Sequence, residues 1–321
     1  MTVGTPTLWA ITLAAVLALI AVDFLLTRRP HEVSLREASL WSAFYIALPL
    51  SFGGWVWWRY GSDRGTEFLA GYLVEKSLSV DNLFVFMLLL AAFAVPAALQ
   101  QRVLLYGIVG ALVLRGVFIA LGAAALDAFS ATFLIFGIIL AATAVKVFRD
   151  ARGGHGQEVD VSRMRSVRLL RKAFPVTDDY AGPKLLVRQG TRRALTPLAV
   201  VVVAVFATDV VFAVDSVPAV YGITYDPYLV FATNAFALLG LRALYFLLAG
   251  ALSRLVHLGY GLAAILALIG GKLVLHWAHT VWPSVPEIPT LLSLVLIVGI
   301  LAVVTVTSLL ATRDREPVPV G

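Results

Sequence analysis

Nine apolar runs, each close to the roughly 20 residues a helix needs to cross a bilayer, divide this chain. They lie near 8–26, 39–58, 68–92, 103–125, 130–148, 195–219, 228–249, 256–275 and 291–311. In hydrocarbon every backbone N–H and C=O must find its partner inside the protein, so runs of this length become spanning helices. Composition agrees. Of 321 residues, 60% are hydrophobic and 14% charged, with a mean hydropathy of +0.91, against about 25% charged residues in a soluble domain. The expected fold class is an all-α polytopic membrane protein with about nine transmembrane helices. The first run holds Asp23 and has no basic leader, so it reads as a span and not as a cleaved signal peptide. The chain has no cysteine, which excludes disulfides, thiolate metal sites and redox chemistry at sulfur.

Basic residues set the expected topology. Alternate loops carry eighteen Lys and Arg on one side, eleven of them within 149–194, against Arg59 and Arg64 on the other. This places the N-terminus outside and the C-terminus in the cytoplasm, as an odd number of spans requires. The net charge of +6 is then a topology signal and not a sign of nucleic acid. Within 149–194, Val159 to Phe174 mixes apolar residues with arginines and reads as either an amphipathic helix on the cytoplasmic face or a plain linker.

Two of the runs contain acids. Glu75-Lys76-Ser77-Leu78-Ser79-Val80-Asp81-Asn82 and Asp209-Val210-Val211-Phe212-Ala213-Val214-Asp215-Ser216 each place a second acid six residues after the first, within Val-Asp and before a small polar residue. A charge at bilayer depth costs about 3 kcal/mol or more unless it is paired or binds an ion. The following spans each hold one arginine, Arg115 and Arg242, and the next ones Lys146 and Lys272, in the same order. Three shared landmarks define an internal repeat. With three spans per copy the second copy is inverted, an architecture found in transporters with a midplane site. The chain divides into two N-terminal spans (1–66), a first repeat (67–148), a cytoplasmic basic segment (149–194), a second repeat (195–277), and a last span with its tail (278–321).

On a straight helix, acids six residues apart point about 120° away from each other and sit roughly 9 Å apart along the axis. Either they serve two positions along a path, or the helix breaks between them. Pro218, which clashes with the Val214 carbonyl, favours a break in the sixth span and would free carbonyls near Val214 and Asp215 as ligands. Carboxylate, amide, hydroxyl and carbonyl oxygens suit hard divalent cations, Mn²⁺, Mg²⁺ or Ca²⁺. The metal-handling candidates are Glu75, Asp81, Asn82, Asp209, Asp215 and Ser216. Lys76, Arg115 and Arg242 would balance charge when the ion leaves, and Asp23 would line the mouth. In a plainer reading, Glu75 pairs with Arg115 and Asp209 with Arg242. Lys146 and Lys272 read as snorkelling, Asn234 as an interhelical hydrogen bond, and His276 with His279 as an exposed pair. No nucleotide-binding or hydrolase motif stands out, so no enzyme activity and no permanent cofactor are expected; any metal is cargo.

At EKSLSVDNLFVF (75–86), ATDVVFAVDSVPAV (207–220) and FATNAFALLGLRALYF (231–246) the chain resembles the TerC family of integral membrane proteins, over roughly 35–310. The resemblance implies a bacterial inner-membrane protein of metal-ion homeostasis, notably manganese efflux, in a family named for tellurite resistance. It places Glu75, Asp81, Asn82, Asp209, Asp215 and Ser216 as the metal-handling residues. The expected function is secondary export of a divalent cation, Mn²⁺ before others, coupled to protons. The alternatives are a scaffold or metal-delivery protein for other membrane proteins, and tellurite-type oxyanion handling by Arg115 and Arg242.

Overall fold

The computed structural model describes residues 2–26, 34–153, 165–189, 192–248 and 255–312. The helices in chain order are α1 (Pro6–Leu26), α2 (Leu35–Tyr60), α3 (Ser62–Ala92), α4 (Ala97–Ala128), α5 (Ala131–Arg152), α6 (Arg165–Ala173), α7 (Pro197–Tyr221), α8 (Pro227–Leu239), α9 (Leu241–Leu248), α10 (Leu258–Val281) and α11 (Thr290–Thr312). Every expected apolar run is helical. Counting α8 and α9 as one span, seven are long and apolar enough to cross a membrane. The other two, α2 and α3, run 26 and 31 residues but carry more charge, α3 including Glu75, Lys76 and Asp81.

Local chemistry sets the ends. A single residue, Gly61, joins α2 to α3 at φ 92, a left-handed conformation that glycine takes without strain. Thr196 caps α7 by accepting from the Ala199 N–H, and Pro197 follows at the first turn, where its missing donor costs nothing. Asp226 caps α8 in the same way, accepting from the Tyr228 N–H, again with a proline next. Its carboxylate also accepts from the Val3 N–H at 2.5 Å and the Thr2 hydroxyl at 2.9 Å, tying the N-terminus to the α7–α8 turn.

Burial sorts the helices into an inner and an outer set. From Tyr228 to Leu239, every residue of α8 is buried, and α3 and α7 bury one face along their whole length. By contrast α1 and α11 expose Ile11, Leu17, Leu291 and Val303 at about 60%, as helices facing lipid must. The core is α3, α4, α7 and α8: α4 packs on α7, α3 on both α7 and α8, and α2 and α11 flank α3. The tightest pair is α5 with α10. They cross at Gly137 and Gly270, where a Cβ on either would lie 2.9 or 3.0 Å from the other's carbonyl oxygen. Ala151 meets Gly259 further along, so the two helices run antiparallel.

One expectation is overturned, one is narrowed and one element is new. First, α7 is continuous from Asp209 to Asp215, and Pro218 sits inside its last turn; there is no break between the acids. A proline three residues from a helix end removes only the bond its own N–H would make to the Val214 carbonyl, and the helix closes beyond it with the Gly222 N–H donating to the Pro218 carbonyl. The break falls instead in the next span, at Gly240 between α8 and α9. Second, the basic segment contains the nine-residue α6, which covers the part of the expected helix that lies in the described residues; 159–164 lie outside them. Third, an antiparallel hairpin, β1 (Leu186–Gln189) with β2 (Arg192–Leu195), precedes α7. Four-residue strands rich in Arg and Gln give no alternation to read.

Candidate functional site

Arg115, on α4, is wholly buried and gathers three partners. Its Nη1 donates to Glu75 Oε1 of α3 and, at 3.0 Å, to Asn234 Oδ1 of α8. Its Nη2 donates to Asp209 Oδ1 of α7 at 3.3 Å. Asn234 keeps its oxygen for Arg115 because its amide donates to the Val230 carbonyl at 2.9 Å. All four core helices therefore meet at one guanidinium. The expected Glu75–Arg115 pair forms, and Asn234 is the interhelical hydrogen bond foreseen. The expected Asp209–Arg242 pair does not form, because Arg115 takes both acids.

Arg242, on α9, lies elsewhere. Its Nη2 donates to Asp23 Oδ1 at 2.9 Å and its Nη1 to Gln101 Oε1 at 3.2 Å, while Tyr45 OH donates to the same Asp23 oxygen at 3.0 Å. Asp23 is buried and clamps α1 to α2 and α9. Lys76 also leaves the acids. Its ammonium points to the Ala237 carbonyl at 3.4 Å, at the C-terminal end of α8, where the helix dipole favours a cation. Among the three proposed charge-balancing residues, only Arg115 touches a motif acid in the described contacts.

The second acid of each motif reaches a different place. Asp81 and Asn82 of α3 and Asp215 and Ser216 of α7 line one cavity of about 470 Å³ with Thr143, Lys146 and Asp150 of α5. Thr143 Oγ1 donates to Asp215 Oδ1 at 2.7 Å. Ser216 Oγ is buried with no hydrogen-bond partner among the described residues. Lys146 and Asp150 are exposed and mark the end of the cavity at the α5 C-terminus. The six metal-handling candidates thus split: four face this cavity, and Glu75 and Asp209 belong to Arg115. The straight-helix geometry accounts for the division, since a turn of about 120° sends each acid of a pair to a different neighbour. Among the described residues, no three Asp, Glu or His side chains converge closely enough to hold a metal ion as they stand; the cavity offers the carboxylates of Asp81 and Asp215, and that of Asp150 at its exposed end, with amide and hydroxyl oxygens. Thr143 was not anticipated, although a lone hydroxyl three residues before Lys146 in an apolar span was a visible signal.

A second cavity, of about 310 Å³, opens beside the C-terminal half of α10 and holds Glu67, Tyr225, Lys272, His276, Glu287 and Thr290. His276 Nδ1 lies 2.6 Å from Glu287 Oε1. His279 turns to the Val285 carbonyl at 2.6 Å, so the two histidines anchor the loop before α11 separately. In the α7–α8 turn, burial, aided by the carboxylates of Glu287 and Glu67, pushes the Tyr225 phenol above the usual tyrosine range. Because α5 and α10 are antiparallel, the two cavities lie at opposite ends of the bundle. Each has a lysine followed four residues later by a titratable group: Lys146 and Asp150, Lys272 and His276.

A helical bundle with lipid-type apolar flanks, buried ion pairs within its core and a cavity towards each end defines a multi-pass integral membrane protein. Residues 60–316 match the integral membrane protein TerC family, and the chain belongs to that family. It is 41% identical to an uncharacterized membrane protein of Myxococcus xanthus over 274 residues, 85% of each chain. It is 42% identical over 284 residues to "Putative membrane-bound redox modulator Alx" of Escherichia coli K12, covering 85% of this chain and 87% of that one. An uncharacterized membrane protein of Mycobacterium tuberculosis H37Rv is 42% identical over 272 residues, covering 84% of this chain and 68% of that one. No solved structure matches the chain.

Proposed function

We propose that this protein is a secondary transporter that carries a divalent metal cation, Mn²⁺ before Mg²⁺ or Ca²⁺, out of a bacterial cell across the inner membrane. The observation that carries this reading is the cavity itself. Asp81 and Asp215, from two matching motifs on different helices, line one opening with Asn82, Ser216 and Thr143. Carboxylates with several neutral oxygens suit a hard cation that sheds part of its water, and an open, incomplete set suits an ion that must also leave.

Packing supports the inverted repeat on which alternating access depends. If α3, α4 and α5 correspond to α7, α8–α9 and α10, a two-fold operation exchanges the α4–α7 contact with the α3–α8 contact and leaves α3–α7, α4–α8 and α5–α10 in place; all of these contacts occur. The two cavities then become the two mouths of one path. The nine spans, an outside N-terminus and a cytoplasmic C-terminus belong to the same reading, with α2 and α3 spanning despite their charges. Both arginines are already occupied by carboxylates, which leaves the oxyanion reading without its binding groups. The Escherichia coli relative is named a redox modulator; a chain without cysteine offers no thiol for such a role.

The test is Mn²⁺ flux into liposomes holding the purified protein, compared with Asp81→Asn and Asp215→Asn. Each substitution is expected to reduce flux at least tenfold while leaving the protein folded. Undiminished flux in both variants would remove the cavity from the mechanism. No flux in the wild type for any divalent ion, together with stable co-purifying membrane partners, would favour the scaffold or metal-delivery role instead.

A further inference from the structure

The last turn of α5 carries two cations, Arg149 and Arg152. Both are exposed, and neither forms an ion pair among the described residues. They stand at one end of a cavity of about 440 Å³ between α5 and α10, whose lining is otherwise apolar apart from the Tyr260 hydroxyl. Ala144 of α5 and Ala263 and Ala267 of α10 keep it open along its length, and no acid lines it. The rings of Phe148 and Tyr260 meet edge to face at 5.6 Å beside it. From Ala144 to Arg152, α5 rises about 12 Å, a large part of one leaflet's share of a hydrocarbon core about 30 Å thick.

The charged end holds a further attraction for an anion. The first turn of α10 lies against it, since a Cβ on Gly259 would come within 2.9 Å of the Ala151 Cβ. That turn contains no acid and has no side-chain cap, which leaves the partial positive charge of the helix start for an outside group. The end of α5 has the opposite sign, but about half a charge is outweighed by two guanidiniums. A cavity of similar size between α1 and α4, about 490 Å³, has no charged residue in its lining; bulk hydrocarbon fills such a space without regard to headgroup. Two arginines over an apolar slot between membrane helices fit a narrower chemistry, a phosphate headgroup with an acyl chain beneath it.

We propose that the cleft between α5 and α10 binds one anionic phospholipid, with its phosphate on Arg149 and Arg152 beside the start of α10 and an acyl chain along Ala144, Ala263 and Ala267. The site does not depend on the transport reading. It nevertheless bears on the cation cavity through a single helix. At about 100° per residue, the α5 residues that line the cleft centre roughly half a turn away from Thr143, Lys146 and Asp150, which line the cation cavity. A lipid seated in the cleft therefore braces that cavity's wall from behind.

Native mass spectrometry of the full-length protein, released from detergent containing equimolar phosphatidylglycerol and phosphatidylcholine, tests the site. The wild type should retain one phosphatidylglycerol about tenfold more often than phosphatidylcholine. Arg149→Gln with Arg152→Gln should abolish that preference. Lys172→Gln with Lys184→Gln removes the same charge from exposed positions outside the cleft and should preserve it. Ala267→Phe fills the slot from an exposed position and should lower phosphatidylglycerol retention with both arginines intact. All these changes fall on exposed side chains, so the fold is kept. Equal retention of the two lipids by the wild type overturns the proposal. So does an equal loss in the lysine variant, which would mean general attraction of a basic face for acidic lipid. Retention untouched by Ala267→Phe also overturns it, since the arginines would then hold a phosphate without its chain.

Discussion

The same chemical change, carboxylate to amide, should have unequal consequences at the two buried arginines. Asp23→Asn removes the one carboxylate in contact with Arg242 among the described residues; the Arg242 side chain is 7% exposed. An unbalanced buried charge costs about 3–5 kcal/mol. The new amide oxygen can still accept from Tyr45 and Arg242, which recovers roughly 1 kcal/mol. The expected loss is therefore about 2–4 kcal/mol, or some thirtyfold to several hundredfold in the unfolding equilibrium at about 1.4 kcal/mol per decade. Asp209→Asn starts from two acids on one arginine. It weakens one hydrogen bond, already long at 3.3 Å, but leaves Arg115 matched to Glu75 alone. The net change should stay within about 1 kcal/mol in either direction. Equilibrium unfolding of the purified variants in one detergent would compare them directly. Equal losses, or a larger loss for Asp209→Asn, would show that the charge count assigned to these two clusters is wrong.

Two further outcomes test the packing. Gly137→Ala should destabilise by about 1–3 kcal/mol, because its Cβ would lie 2.7 Å from Val274 Cγ2 and 2.9 Å from the Gly270 carbonyl oxygen; Gly271→Ala, on the facing helix with nothing within 4 Å, should be neutral or raise Tm through helix propensity alone. Asp226→Ala should cost about 1–2 kcal/mol as a lost helix cap and, by releasing Thr2 and Val3, should speed hydrogen exchange at the N-terminal residues more than elsewhere.

Much of this was legible in one dimension. Long apolar runs admit only helices in hydrocarbon, so the helical segments followed from composition and length. The positions of Glu75, Asp81, Asp209 and Asp215 flagged themselves, since acids are rare at such depth unless they serve a function. Even the division of each acid pair between two places was one of two outcomes that helical geometry allowed. Less visible was partnership. A local rule pairs Glu75 with Arg115 and Asp209 with Arg242; yet Arg115 takes both of these acids and Arg242 turns to Asp23, 219 residues away in sequence. Pro218 misled for a related reason, since its effect depends on its distance from the helix end, which pattern alone locates only to a few residues.

The chain's order of residues determined that this is a helical membrane protein and that four acids are set within apolar surroundings. Which charges meet, and how many of each sign, was decided only when α3, α4, α7 and α8 packed together. The reason is physical: apolar periodicity acts over a few residues and writes itself into sequence, whereas an ion pair depends on two side chains arriving within about 3 Å from helices whose crossing is set by everything else in the core.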